Sequence, residues 1–196
     1  MSDLKVGVAG AGVFGGYHAQ KAAASASTEL TGIFDISDQR GQTAASPFGV
    51  PNYTRFEDLL EKSDAIIIAV PAVYHADLAA KALQANKHVL VEKPLALKET
   101  EARMLAGMAV SQGLTLQVGH QERFVARAMG MFRIEEPPLL LESIRYSPPS
   151  PEGRAGDVSV IWDLMIHDLD LAGCLIEGRF TDVSASGQKL HTDHID

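Results

Sequence analysis

Val6-Gly7-Val8-Ala9-Gly10-Ala11-Gly12-Val13-Phe14-Gly15 is a short apolar run that breaks into a glycine-rich turn. A second apolar run, Leu30-Thr31-Gly32-Ile33-Phe34, ends on a carboxylate, Asp35, about 20 residues beyond the last glycine of the turn. Strand, turn, helix and strand in that order form a unit in which each glycine has its own task. Gly10 allows the tight turn, Gly12 lets a pyrophosphate approach the backbone, and Gly15 lets the helix pack closely on the sheet. The helix expected from Val13 to Ala24 offers uncapped N–H groups and the positive end of its dipole to the phosphates, with Val13 and Phe14 in its first turn. Asp35 is placed to accept hydrogen bonds from an adenosine ribose. Because a carboxylate repels a 2′-phosphate, NAD is favoured over NADP. Ser37 and Arg40 lie just beyond, where they can offset part of that repulsion, and Ser37 also reads as the N-cap of a helix from Asp38 to Ala45.

Outward from this unit, short β-branched runs alternate with helical segments rich in alanine and leucine, the pattern of parallel strands joined by crossover helices. Strands are expected near 4–9, 29–34, 50–53, 65–69, 87–91 and 114–118. Helices are expected near 13–25, 38–46, 56–62, 74–85 and 99–112, the last stopped by Gly113. Ala65-Ile66-Ile67-Ile68-Ala69-Val70 is apolar without alternation, as a central strand covered on both faces should be. The reading is an α/β, Rossmann-type doubly wound parallel sheet over residues 1–119, followed by a partial α+β substrate and oligomerisation domain over 120–196. In that second part, 120–133 reads as helix, Pro137-Pro138 as an interruption and Leu139 to Tyr146 as a strand. Ser147 to Gly156 reads as a loop, Asp157 to Glu177 as a strongly apolar helix stopped by Gly178, and Phe180 to Leu190 as an antiparallel strand.

Composition narrows the function classes. The 196-residue chain is 46% hydrophobic, enough for one good core and part of another. Its formal net charge of -8 and the absence of a Lys/Arg cluster argue against nucleic-acid binding. A single cysteine, Cys174, excludes an intramolecular disulfide and a thiolate metal cluster, which fits a reducing cytoplasm. No signal peptide and no apolar run of membrane-spanning length are evident.

Ligands of open α/β sheets bind beyond the carboxyl ends of the strands. Two segments fall there: Val70-Pro71-Ala72-Val73-Tyr74-His75, and Glu92-Lys93-Pro94 after His88-Val89-Leu90-Val91. An ammonium at Lys93 can hydrogen-bond a substrate hydroxyl and stabilise oxygen charge, or it can simply be a loop lysine paired with Glu92. His75, in the first turn of a helix, can equally cap or pack. Further on, Asp163 and His167 stand four apart in an apolar helical segment. On an α-helix they share a face, and a carboxylate beside an imidazole makes it a better base. A helix-surface ion pair is the plainer alternative. No metal site is expected: His-x3-His spacing is absent, and His191 and His194 lie near the end of the chain.

Taken together, the glycine turn, Asp35, Val70-Pro71, Glu92-Lys93-Pro94 and the Asp163/His167 helix resemble the Gfo/Idh/MocA family of sugar and cyclitol oxidoreductases, along essentially the whole chain. The resemblance implies an NAD-dependent dehydrogenase with His167 as general base, Lys93 holding the reacting oxygen and Asp163 orienting the site. It places Glu92 and Pro71 along the nicotinamide and its ribose, with His75 also on the cofactor side, and it implies a Lys93-Pro94 bond that is often cis. Gly119-His120-Gln121-Glu122-Arg123-Phe124 and Asp163-Leu164-Met165-Ile166-His167-Asp168 are similar to a branch that oxidises the 3-hydroxyl of UDP-N-acetylglucosamine-type sugars. In that branch Arg123 would meet a diphosphate or carboxylate of the substrate, although a salt bridge serves as well. The branch usually has Asn-Pro after Arg-Phe, where this chain has Val125-Ala126. Family members continue through most of a large antiparallel sheet that commonly builds the dimer, whereas this chain stops after about its second strand. The expectation is a fragment, a truncated product or a chain completed by partners, and a homo-oligomer where the full second domain is present. A non-catalytic NAD-binding module is the alternative function.

Overall fold

Six strands alternate with helices through the first 119 residues of the computed structural model, which describes residues 3–134, 136, 138–146, 158–176, 178–190 and 192–195. The strands are β1 (Leu4–Ala9), β2 (Thr28–Phe34), β3 (Asn52–Tyr53), β4 (Ala65–Ile68), β5 (His88–Glu92) and β6 (Leu116–Gly119). The helices between them are α1 (Val13–Ala24), α2 (Asp38–Ala45), α3 (Phe56–Lys62), α4 (His75–Gln84) and α5 (Glu99–Gln112). All neighbouring strands are parallel, in the order β3-β2-β1-β4-β5-β6. This is the doubly wound order in which the chain reverses direction across the sheet between β1 and β4.

Period-2 alternation decides which side chains meet which layer. Ile66 and Ile68 of β4 pack with α3, α4 and α5 through Leu59, Leu83 and Leu105. Val6 and Val8 of β1 pack on the other face with Ala19, Ala22 and Ala45 from α1 and α2. Small residues on α1 and α2 let these helices lie close to the sheet. Ser37 caps α2 by accepting the Arg40 N–H at 3.4 Å, and Gly113 ends α5 at φ +65° in the left-handed region that glycine occupies freely.

The chain divides into two compact units, Met1–Gly119 and His120–Asp196. In the second, α6 (Glu122–Ala128) is followed by a π-helical turn over Ile161–Met165 that runs into α7 (Ile166–Leu175). Two expectations fail there. Leu139 to Tyr146 and Phe180 to Leu190 form no ladder among the described residues, and α6 is shorter than the 120–133 expected. A strand exists through its ladder, and neither segment forms one with other described residues. The loop 147–156, Pro137, His191 and the expected helix ends Asp157 and Glu177 lie outside the described residues. No helix among those described is long and apolar enough to cross a membrane.

Candidate active site

The site in the first unit is built where β1, β4 and β5 end. The backbone leaves β1 through Gly10, whose N–H donates to the Phe34 carbonyl at 2.7 Å, while Ala69 N–H donates to Ala9 O at 2.8 Å. Gly10 has φ +105°, and a Cβ there would lie 2.3 Å from the Ala69 carbonyl oxygen. A Cβ on Gly15 would lie 1.8 Å from the Gly10 carbonyl oxygen, so α1 can approach the turn only without a side chain. Gly12, by contrast, is exposed and has nothing within 4 Å of such a Cβ. The one glycine of the three that faces open space is thus the N-cap of α1, where no side chain caps the helix. Val13 and Phe14 stand exposed beside it. This cradle fits the pyrophosphate of a dinucleotide: open space, unclaimed amide donors and a helix dipole of the right sign.

Asp35, at the end of β2, is buried at 9% exposure and already well supplied with donors. Oδ2 accepts the Ala11 N–H at 2.9 Å; Oδ1 accepts the Ser37 N–H at 2.8 Å and the Arg40 guanidinium at 2.7 Å. Burial alone would raise its pKa, but the Ser37 and Ala11 amides and Arg40 outweigh it and hold the carboxyl below its ordinary range. An ionised carboxylate offers about four acceptor positions. With three engaged, one remains for a ribose hydroxyl. A cleft of about 400 Å³ beside it is lined by Ala11, Gln39, Arg40, Thr43 and Ala44.

Across the switch point, Pro71 opens a 3-10 turn over Ala72–Tyr74 that leads into α4. At the end of β5 come Glu92 and Lys93, both half-buried, and the Lys93–Pro94 bond is cis. Glu92 pairs with His18 of α1, Nε2 to Oε1 at 2.7 Å. Gly119 makes room for that carboxylate, since a Cβ there would be 3.0 Å from Oε1. His75 is 1% exposed; its Nδ1 is 2.6 Å from the Pro94 carbonyl oxygen and its Nε2 is 2.8 Å from that of Val70. Both nitrogens are therefore committed to the backbone of the two loops. The ring joins those loops and presents no free polar edge to a cofactor.

The second unit carries the remaining candidates. His167, buried at 6% exposure, is the second residue of α7, whereas Asp163 lies within the π turn before it. A π turn is wider than an α turn, yet residues four apart still fall on nearly the same side of the axis, so the junction does not by itself separate Asp163 from His167. The His167 charge acts on Asp168 and Asp170, each held below the ordinary range. At Asp170 burial raises the pKa, but the Arg123 hydrogen bond, His120, the Arg123 charge and His167 together outweigh it. Asp168 is held likewise by Arg145 and Ser143.

Arg123 donates through Nε to Asp170 Oδ2 at 2.7 Å and through a terminal nitrogen to Oδ1 at 2.5 Å. Of the two roles open to Arg123 from sequence, the salt bridge is the one formed: a two-pronged clamp between α6 and α7. Residue type and spacing do not mark Asp170 or Arg145 for these pairings, and Gly119 stands out only as the start of the family-like segment Gly119 to Phe124. His18 carried a faint one, three residues after Gly15 and so on the same sheetward side of α1.

Known proteins share this architecture. A UDP-N-acetylglucosamine 3-dehydrogenase of Acidithiobacillus ferrooxidans is 38% identical over 198 residues, matching 100% of this chain and 62% of its own length. Its crystal structure superposes with a TM-score of 0.91 at 37% identity, covering all of this chain and 64% of that one. A glucose-6-phosphate 3-dehydrogenase of Bacillus subtilis is 30% identical over 122 residues, 62% of this chain and 35% of its own. The structure of GenD2 from gentamicin A biosynthesis, in complex with NAD, gives a TM-score of 0.60 at 34% identity over 61% of this chain and 35% of that one. The chain thus spans about three fifths of the length of the first of these relatives. The family model described as an oxidoreductase family with an NAD-binding Rossmann fold matches residues 4–120, more than half of the sequence. With the parallel sheet, the open Gly12 cradle and Asp35 in place, the chain belongs to the Gfo/Idh/MocA oxidoreductase family.

Proposed function

We propose that the protein is an NAD-dependent dehydrogenase acting on a sugar or sugar-nucleotide hydroxyl, with a UDP-N-acetylglucosamine-type sugar the preferred candidate. The observation that carries the substrate reading is 38% identity, running through both units, to a UDP-N-acetylglucosamine 3-dehydrogenase. Bound NAD supplies the two-electron oxidation: the carbinol carbon gives up hydride to the nicotinamide and its hydroxyl gives up a proton, leaving a ketone. This chain's residues do the rest. The Gly10-Ala11-Gly12 turn and the start of α1 hold the pyrophosphate, and Asp35 takes a ribose hydroxyl in its remaining acceptor position. Pro71 and Glu92 border the nicotinamide end, with His18 holding Glu92 in place. Lys93 hydrogen-bonds the reacting oxygen, His167 accepts the hydroxyl proton, and Asp163 orients the site.

We assign 120–196 to substrate binding and, in an oligomer, to subunit contacts; the setting is the cytoplasm. His167→Ala is expected to lower kcat by about 10² to 10⁴ with NADH affinity nearly unchanged, as removal of a general base does. Steady-state reduction of NAD with UDP-N-acetylglucosamine, alongside a direct NADH titration of the variant, checks this. Equal loss of binding and turnover would remove His167 from the role. NADH binding without turnover of any sugar would leave the chain as an NAD-binding module.

A further inference from the structure

The His75 ring makes two contacts that a neutral imidazole cannot both satisfy. Its partners, the carbonyl oxygens of Pro94 at 2.6 Å and Val70 at 2.8 Å, are acceptors only. A neutral ring has one N–H and one lone pair. In that form one contact is a hydrogen bond, while the other sets a lone pair against a carbonyl oxygen at hydrogen-bond distance. At 1% exposure the ring is shut off from bulk solvent. A ring carrying both protons donates to both oxygens, and each bond is charge-assisted.

We infer that His75 is a doubly protonated clip, a positioning residue that ties the Val70-Pro71 segment after β4 to the Lys93-Pro94 turn after β5. Burying a cation is costly, but two carbonyl dipoles aimed at the charge offset much of that cost. Lys93 lies in the second of these loops, and charged groups on the elements around them pair with one another. Asp77 and Lys81 of α4 pair at 2.8 Å. Glu92 at the end of β5 pairs with His18. At α5, Glu99 pairs with Arg103 and Glu101 with Lys98. β4 itself carries no charge. The positioning role rests on the proposed location of the nicotinamide between these two loops; the proton count does not.

The test uses the full chain labelled with ¹⁵N. Long-range ¹H–¹⁵N spectra, with His75 assigned by through-bond connectivity and by loss of its peaks in His75→Gln, are expected to show both ring nitrogens protonated at neutral pH. One nitrogen with the unprotonated shift would overturn the inference, and the wild-type spectrum decides this even if the variant does not fold. NADH titrations give the second readout. Gln can donate to only one of the two carbonyls, so H75Q is expected to bind NADH about tenfold more weakly, the effect of one lost charged hydrogen bond. Equal NADH affinity in both proteins would overturn the positioning role. Neither readout involves sugar turnover, so a failed dehydrogenase assay leaves them standing.

Discussion

Asp35 shows how one side chain can serve both the fold and a ligand. Two amides and a guanidinium converge on it at 2.7 to 2.9 Å, so its charge is stabilised before any ribose arrives. Its folded pKa is depressed, which means its contribution to stability is complete above the ordinary carboxylate value of about 3.9 and is lost as pH falls through the folded value. Asp35→Asn should therefore flatten the acid limb of a urea-midpoint profile below about pH 4. The same variant should weaken NAD binding at neutral pH; an unchanged acid limb would show that other carboxylates carry it. Arg123, open from sequence to a substrate contact or a salt bridge, holds a carboxylate 47 positions away, a pairing that residue type and spacing do not encode. The same holds for His75, whose partners are backbone carbonyls of two different loops.

At the scale of the element, the turn from β1 into α1 separates packing from binding. Gly15→Ala would place a methyl group 1.8 Å from the Gly10 carbonyl oxygen and force α1 off the sheet. A loss on the order of 3 kcal/mol is expected, within the range of backbone clashes in a packed interior, and chemical denaturation would measure it. Gly12→Ala meets nothing in the protein, so its folding stability should change by under about 1 kcal/mol, the scale of a glycine-to-alanine effect. Its NADH affinity should nevertheless fall at least tenfold, because the methyl group occupies the space needed by the pyrophosphate. A Gly12→Ala protein that binds NADH normally would refute the cradle. The helices and strands of this unit agree with the sequence pattern within a few residues because their signals are local: the Ser37 cap, the Gly113 stop and the alternation in β4. The π turn before α7 escaped that pattern, since an apolar run reads alike whether its hydrogen bonds span four residues or five.

On the scale of the whole molecule, ligand linkage tests the two units separately. Thermal unfolding with NADH should show a rise in midpoint, since selective binding stabilises the native state by about 2.7 kcal/mol at 100 times Kd. Adding UDP-N-acetylglucosamine should raise it again if 120–196 completes a substrate site. A rise with NADH alone would confine binding to the first unit. By itself the sequence determined the doubly wound sheet, the dinucleotide turn and the family, because periodicity, caps and glycine spacing act over a few residues and survive in any context. Tertiary structure alone decided that Arg123 clamps Asp170, that His75 joins two loops, and that Leu139 to Tyr146 and Phe180 to Leu190 form no ladder among the described residues. Those outcomes depend on which distant group supplies the partner, and a hydrogen bond or a strand is a property of the pair.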